Sequence, residues 1–354
     1  FTNTALTTAG TSLEVTGDAT FEGENTMNVV DYFKVDNKAT ITSGSLSTGK
    51  AAFEAGTLEI TGATLTASSV EVTGNATATG TNTLHADTVT VDGVAAVTSG
   101  SILMDKAAFK AGTLDVTDAS LTASSVEVTG NSTVSGKNTV TADSFKTQEL
   151  SLDANATLDA TGSLTAGTAQ LSAGTKLSAK GNVKVDGALK MQGSSIKADT
   201  LTASGDSFTL SGVNTISTKN GATVENAKVW LDDGVTLEVA ADEVAAVGLA
   251  VKNMTVSSKA RLEVTGGLTV GETLTLDSSG VGEGDSETNF SADSLKVGKK
   301  LVFEGESYSD NVYVFGTSDT DMNMTVSALN TTPYDVSLKN ANVEYAGSLE
   351  GVGK

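Results

Sequence analysis

Along most of this chain a branched apolar residue, a polar residue, a second branched apolar residue and a second polar residue lead into Gly, Asp or Asn. The unit appears as Leu13-Glu14-Val15-Thr16-Gly17, Leu58-Glu59-Ile60-Thr61-Gly62, Val70-Glu71-Val72-Thr73-Gly74 and Val89-Thr90-Val91-Asp92-Gly93. It continues as Leu114-Asp115-Val116-Thr117-Asp118, Val126-Glu127-Val128-Thr129-Gly130, Val183-Lys184-Val185-Asp186-Gly187 and Leu262-Glu263-Val264-Thr265-Gly266. A period of two puts both branched residues on one face of a strand and the charged residue between them on the other. The closing Gly, Asp or Asn tolerates the positive φ of a sharp corner.

Spacing turns these short strands into a fold. Lys50–Asn75 recurs almost unchanged as Lys106–Asn131, and self-similarity over such a distance marks a repeat array. The steps from Val70 to Val89, on to Phe109 and on to Val126 are nearly even, and together they make up one long repeat. Each long repeat is therefore read as three coils. Leu13, Phe33 and Phe53, evenly spaced, are expected to stack up one wall. Coils of this length, with two or three short strands each, suit a parallel ladder in which every strand pairs with its equivalent about 4.8 Å above and below. An antiparallel sandwich would need hairpin turns that the even spacing does not supply. The expected class is all-β, a right-handed parallel β-helix (β-solenoid) with roughly 19-residue coils over 1–300, the near-duplicates being 50–87 and 106–143. The single Pro agrees, because proline removes a ladder donor.

After about Ala240 the rhythm loosens. Ala241–Lys252 reads as an irregular coil in preference to a short helix, and Gly280–Asn289 as a polar loop. Four of the five tyrosines, Tyr308, Tyr313, Tyr334 and Tyr345, fall after residue 300. Residues 301–354 are accordingly expected to be irregular terminal coils or a cap over an open ladder edge.

Composition narrows what such a body does. Hydrophobic residues make up 38%, which raises disorder as a rival, yet a disordered tail has no need of ordered alternation. The net charge of −21 repels nucleic acid and anionic lipid. With no Cys there is no disulfide framework and no thiolate metal site, a usage that also fits secreted chains exported unfolded. No apolar run is long enough to span a membrane, so no direct insertion of this segment is expected. The chain opens at Phe1 without a signal-like leader, as a mature product or an excised part would.

Catalytic chemistry finds little support. His85 is the one imidazole, and Thr141 stands in its place in the second copy, so a Ser-His-Asp system has a single position to use. Polysaccharide lyases and glycosidases are the enzymatic rivals because they also use β-helices. Arg261 is the lone arginine, against an acidic surface, and Asp232-Asp233, Asp242-Glu243 and Asp319-Thr320-Asp321 are carboxylate pairs by composition only. No cofactor is expected beyond calcium, for which Asp285, Glu287, Asp319 and Asp321 have the right oxygen chemistry without a calcium-roll or EF-hand pattern. Threonine alternation, as in Thr88-Val89-Thr90 and Ala76-Thr77-Ala78-Thr79, raises an ice-binding surface. That surface needs Thr pairs at one fixed coil position, and Glu71, Glu127, Asp115 and Lys184 are read as interrupting it.

The phrases GTLEITGATLTASSVEVTGNATATGTNTL and AGTLDVTDASLTASSVEVTGNSTVSGKNTV resemble the passenger repeats of bacterial autotransporters and the coils of filamentous-haemagglutinin-type adhesins. The resemblance covers roughly Phe1–Gly280, most clearly Leu13–Asp143, and departs at Leu301–Lys354. It implies a Gram-negative surface or secreted rod without catalytic residues in this segment. The expected function is non-enzymatic: an extracellular structural and adhesive protein of the cell surface, engaged in adhesion, self-association or biofilm. The alternatives are a subunit of a self-assembling fibre or sheath, and a β-helical polysaccharide-active enzyme. Expected partners are further copies of the chain and a host surface or glycan.

Overall fold

A computed structural model describes residues 1–7, 11–104, 107–231, 235–241, 248–257, 260–277 and 289–304. It also describes the strands Asn311–Val314, Met322–Val326, Leu329–Asn330, Val336–Lys339, Ala341–Tyr345 and Leu349–Glu350. The protein is a parallel β-solenoid, and every regular element among the described residues is a strand. Among the described residues no helix is long and apolar enough to cross a membrane. The chain falls into two compact units, Phe1–Gly167 with Leu177–Lys180, and Thr168–Lys176 with Gly181–Lys354.

In the first unit a coil has three walls. The strand Ala52–Thr66 shows the plan. Ala52–Ala55 forms the first wall, Thr57–Thr61 the second and Ala63–Thr66 the third, each pairing in parallel with the preceding coil. The ladder register breaks at the corners, where a φ of +54° at Gly62 and the equivalent +51° at Ser99 turn the chain. On the first wall Leu13, Phe33, Phe53, Val70, Val89, Phe109, Val126 and Phe145 occupy consecutive rungs. The near-even steps read from the sequence are thus true rungs, and the long repeat is three coils.

Inward-facing side chains fill a narrow apolar column. Phe21, Phe33, Phe53 and Phe145 are fully buried. Phe21 and Phe33 meet edge to face at 5.8 Å, and Phe33 and Phe53 lie 5.9 Å apart. An interior void of about 30 Å³ is lined by Leu58, Ile60, Val72, Val89 and Phe109. Its lining is apolar, so a water there would find no partners.

Corner chemistry adds a feature that the strand pattern conceals. Gly-x-Asn-Thr occurs four times, at Gly23, Gly80, Gly136 and Gly212, and all four glycines have φ between +69° and +76°. The Asn at the third position, Asn25, Asn82, Asn138 or Asn214, turns inward and is at most 3% exposed. Asn82 Nδ2 donates to the carbonyls of Thr79 and Gly80, and its Oδ1 accepts from the Ala63 N–H one coil below, all at 3.1 Å. Asn138 accepts from the Ala119 N–H and Asn214 from the Ser194 N–H in the same way. A buried amide that satisfies backbone groups of two coils clamps them together.

The second unit keeps the ladder but not the even coil length. Val183, Leu201, Ala222, Leu249, Leu268, Leu295, Met324 and Val343 are successive rungs. The step is short from Val183 to Leu201 and much longer from Ala222 to Leu249 and from Leu295 to Met324. This is the physical content of the loosened rhythm: the pairing continues while the connecting segments lengthen. The expected irregular coil at Ala241–Lys252 is corrected in part, since Leu249–Ser257 is a strand. Most of Gly280–Asn289 lies outside the described residues; Asn289 opens the strand Asn289–Val297.

Candidate functional site

With the interior closed, the chemistry that the protein offers lies on its outward faces. On the first wall of the first unit the outward column reads Glu14, Lys34, Glu54, Glu71, Thr90, Lys110, Glu127, Lys146. Lys110 and Lys146 flank Glu127, each at 3.8 Å. The near-duplicates differ here by Glu54 against Lys110, and each is opposite in charge to a rung neighbour, Lys34 or Glu127. Tyr32 donates to Glu14 Oε1 at 2.8 Å, and that bond holds its phenol pKa above the usual value. Asp36 beside Lys34 likewise raises the lysine's pKa.

The second wall carries a different column. Thr42, Thr61, Thr79, Thr98, Thr117 and Ser135 occupy one fixed position on six successive rungs. A parallel column reads Thr40, Glu59, Thr77, Ala96, Asp115, Thr133. The five threonine hydroxyls of the first column have no hydrogen-bond partner within the protein among the described residues. Glu59 is neutralised by Lys38 at 2.6 Å. The expected interruption holds on the first wall, where Glu71 and Lys110 stand on either side of Thr90 and Glu127 follows. It is corrected on the second wall: the column from Thr42 to Ser135 is uninterrupted, and Asp115 falls in the parallel one.

Other expected site residues are scattered or undescribed. His85 is exposed on the third wall, on the rung after Thr66. Asp285, Glu287, Asp319 and Asp321 lie outside the described residues, as do Asp232, Asp233, Asp242 and Glu243. Among the described residues no group of three His, Cys, Asp or Glu side chains is placed to hold a metal ion.

In the second unit, polar side chains gather beside the sole tryptophan. Trp230 is 54% exposed, and Lys228 Nζ lies 5.2 Å from the centre of its ring. On the next rung Trp230 faces Thr255 and Lys228 faces Asn253. Asn253 donates to Glu272 at 3.3 Å, and Lys299 binds the other oxygen of Glu272 at 2.8 Å. Lys299 first, then Asn253, hold the Glu272 carboxyl below the usual carboxylate range. Sequence reading passed over this cluster because its members are spread from residue 228 to 299.

Comparison with known proteins gives no match: no family model, no curated protein and no solved structure matches the chain.

Proposed function

We propose that this chain is a non-enzymatic extracellular structural and adhesive protein whose solenoid walls associate with other copies of itself. The observation that carries the reading is the column Thr42 to Ser135, an almost uncharged strip of hydroxyls on a chain of net charge −21. Copies of so acidic a body repel one another unless they meet where charge is sparse. Hydroxyls both donate and accept, so two such strips can bond in either orientation. Many weak contacts repeated at the coil spacing then add through effective concentration. The resemblance to secreted adhesin repeats supports the same reading.

Light scattering against salt and calcium, with electron microscopy of the assembled material, tests this. Association is expected to strengthen as screening rises. Thr79→Glu with Thr98→Glu is expected to suppress it, and Thr90→Glu on the first wall to leave it intact. Scattering that stays flat as salt and calcium rise counts against the proposal, as does equal behaviour of the two variants.

A further inference from the structure

We infer that Trp230 is the centre of a binding site for a glycan containing a carboxylated pyranose, such as a uronic acid. This inference goes beyond self-association and uses a different unit, so it stands or falls separately. An exposed tryptophan on a solvent-facing wall leaves a large apolar surface in water. The segment that carries it, Lys228–Leu231, pairs in parallel with Asn253–Val256 on the next coil. The surface offered is a ring beside polar groups. A pyranose matches it, with a face of C–H bonds for the indole and oxygens around its rim.

Two observations specify the ligand further. Lys228 lies over the indole and has no carboxylate partner among the described residues. Glu272 and Lys299, by contrast, satisfy each other. The ammonium at the indole fits a carboxylate on the sugar. Thr255, facing Trp230 from the next rung, is 5% exposed and its hydroxyl has no hydrogen-bond partner. A buried hydroxyl without a partner is costly, so a ligand oxygen that reached it would be favoured. The overall negative charge does not forbid an acidic ligand, since distant carboxylates are screened beyond a Debye length of about 8 Å in physiological salt.

Because Trp230 is the sole tryptophan, its fluorescence reports this site directly. The probe is an oligogalacturonate, with a neutral malto-oligosaccharide of the same length as the comparison. A saturable change in emission is expected with the acidic sugar, and binding roughly tenfold weaker with the neutral one, as loss of a charge-assisted bond implies. In calorimetry Trp230→Ala is expected to weaken binding by about tenfold or more. Lys228→Gln should weaken the acidic sugar several-fold and leave the neutral one unchanged. Circular dichroism of both variants checks that the solenoid persists. Unchanged emission with no calorimetric heat overturns the proposal. So does equal affinity for the two sugars, or binding indifferent to Trp230→Ala.

Discussion

The first and second walls of Phe1–Gly167 are cut from the same strands and close on the same apolar column, yet they present opposite surfaces. The first is charged along most of its length, with Lys34 above Glu14 and Glu127 between Lys110 and Lys146. The second lines up hydroxyls from Thr42 to Ser135. Inward positions are fixed by packing, so they cannot differ much. Outward positions are free to be assigned wall by wall, and in a solenoid each assignment is repeated at every rung. A surface property is therefore a property of a column and not of a local sequence.

The largest test of that division strikes the shared interior. Val72 is 1% exposed and Glu71, its neighbour, is exposed. Val72→Asp should cost roughly 3–5 kcal/mol by burying an unpaired charge, measured by denaturant unfolding. Glu71→Lys should change stability by less than about 0.5 kcal/mol. Its sign should be stabilising, because Glu71 stands directly beside Glu54. Equal effects of the two substitutions would show that the inward and outward assignment is wrong.

The corner between the second and third walls comes next. Asn82→Ala should cost about 1–3 kcal/mol, since it strands the Ala63 N–H and two carbonyls. The same substitution at exposed Asn75, whose Oδ1 accepts from the Val94 N–H at 2.9 Å, should cost less because water replaces the bond.

A smaller effect sharpens the contrast between the walls. Glu127→Lys would place three lysines on adjacent rungs of the first wall and should lose up to about 1 kcal/mol at low salt. The loss should fade near 1 M salt, where the Debye length is about 3 Å. Thr117→Ser on the second wall should show no such salt dependence.

The smallest effect lies in the second unit. Glu272 has a folded pKa below its unfolded value. Its contribution to stability is therefore present above the unfolded carboxylate pKa of about 4.3 and is lost as pH falls through the folded value. Denaturant midpoints measured from roughly pH 5 to pH 3 should fall less steeply in Lys299→Gln than in the parent.

The sequence alone determined the strand, the coil and the stacking of Phe33 on Phe53, because alternation and even spacing are local properties that one chain displays. It also held the Gly-x-Asn-Thr corners in plain view, but a buried Asn looks like any turn Asn until its partner N–H one coil away is known. Tertiary structure alone decided which outward residues share a column. The coil step already changes within the first unit, being longer from Val89 to Phe109 than from Phe109 to Val126. It changes more in the second, from Val183–Leu201 to Leu295–Met324, so sequence spacing no longer says who stands above whom. That is why the threonine column and the neighbourhood of Trp230 emerge only from the ladder: each is assembled by backbone hydrogen bonds between rungs, across chain separations that vary with every connecting segment.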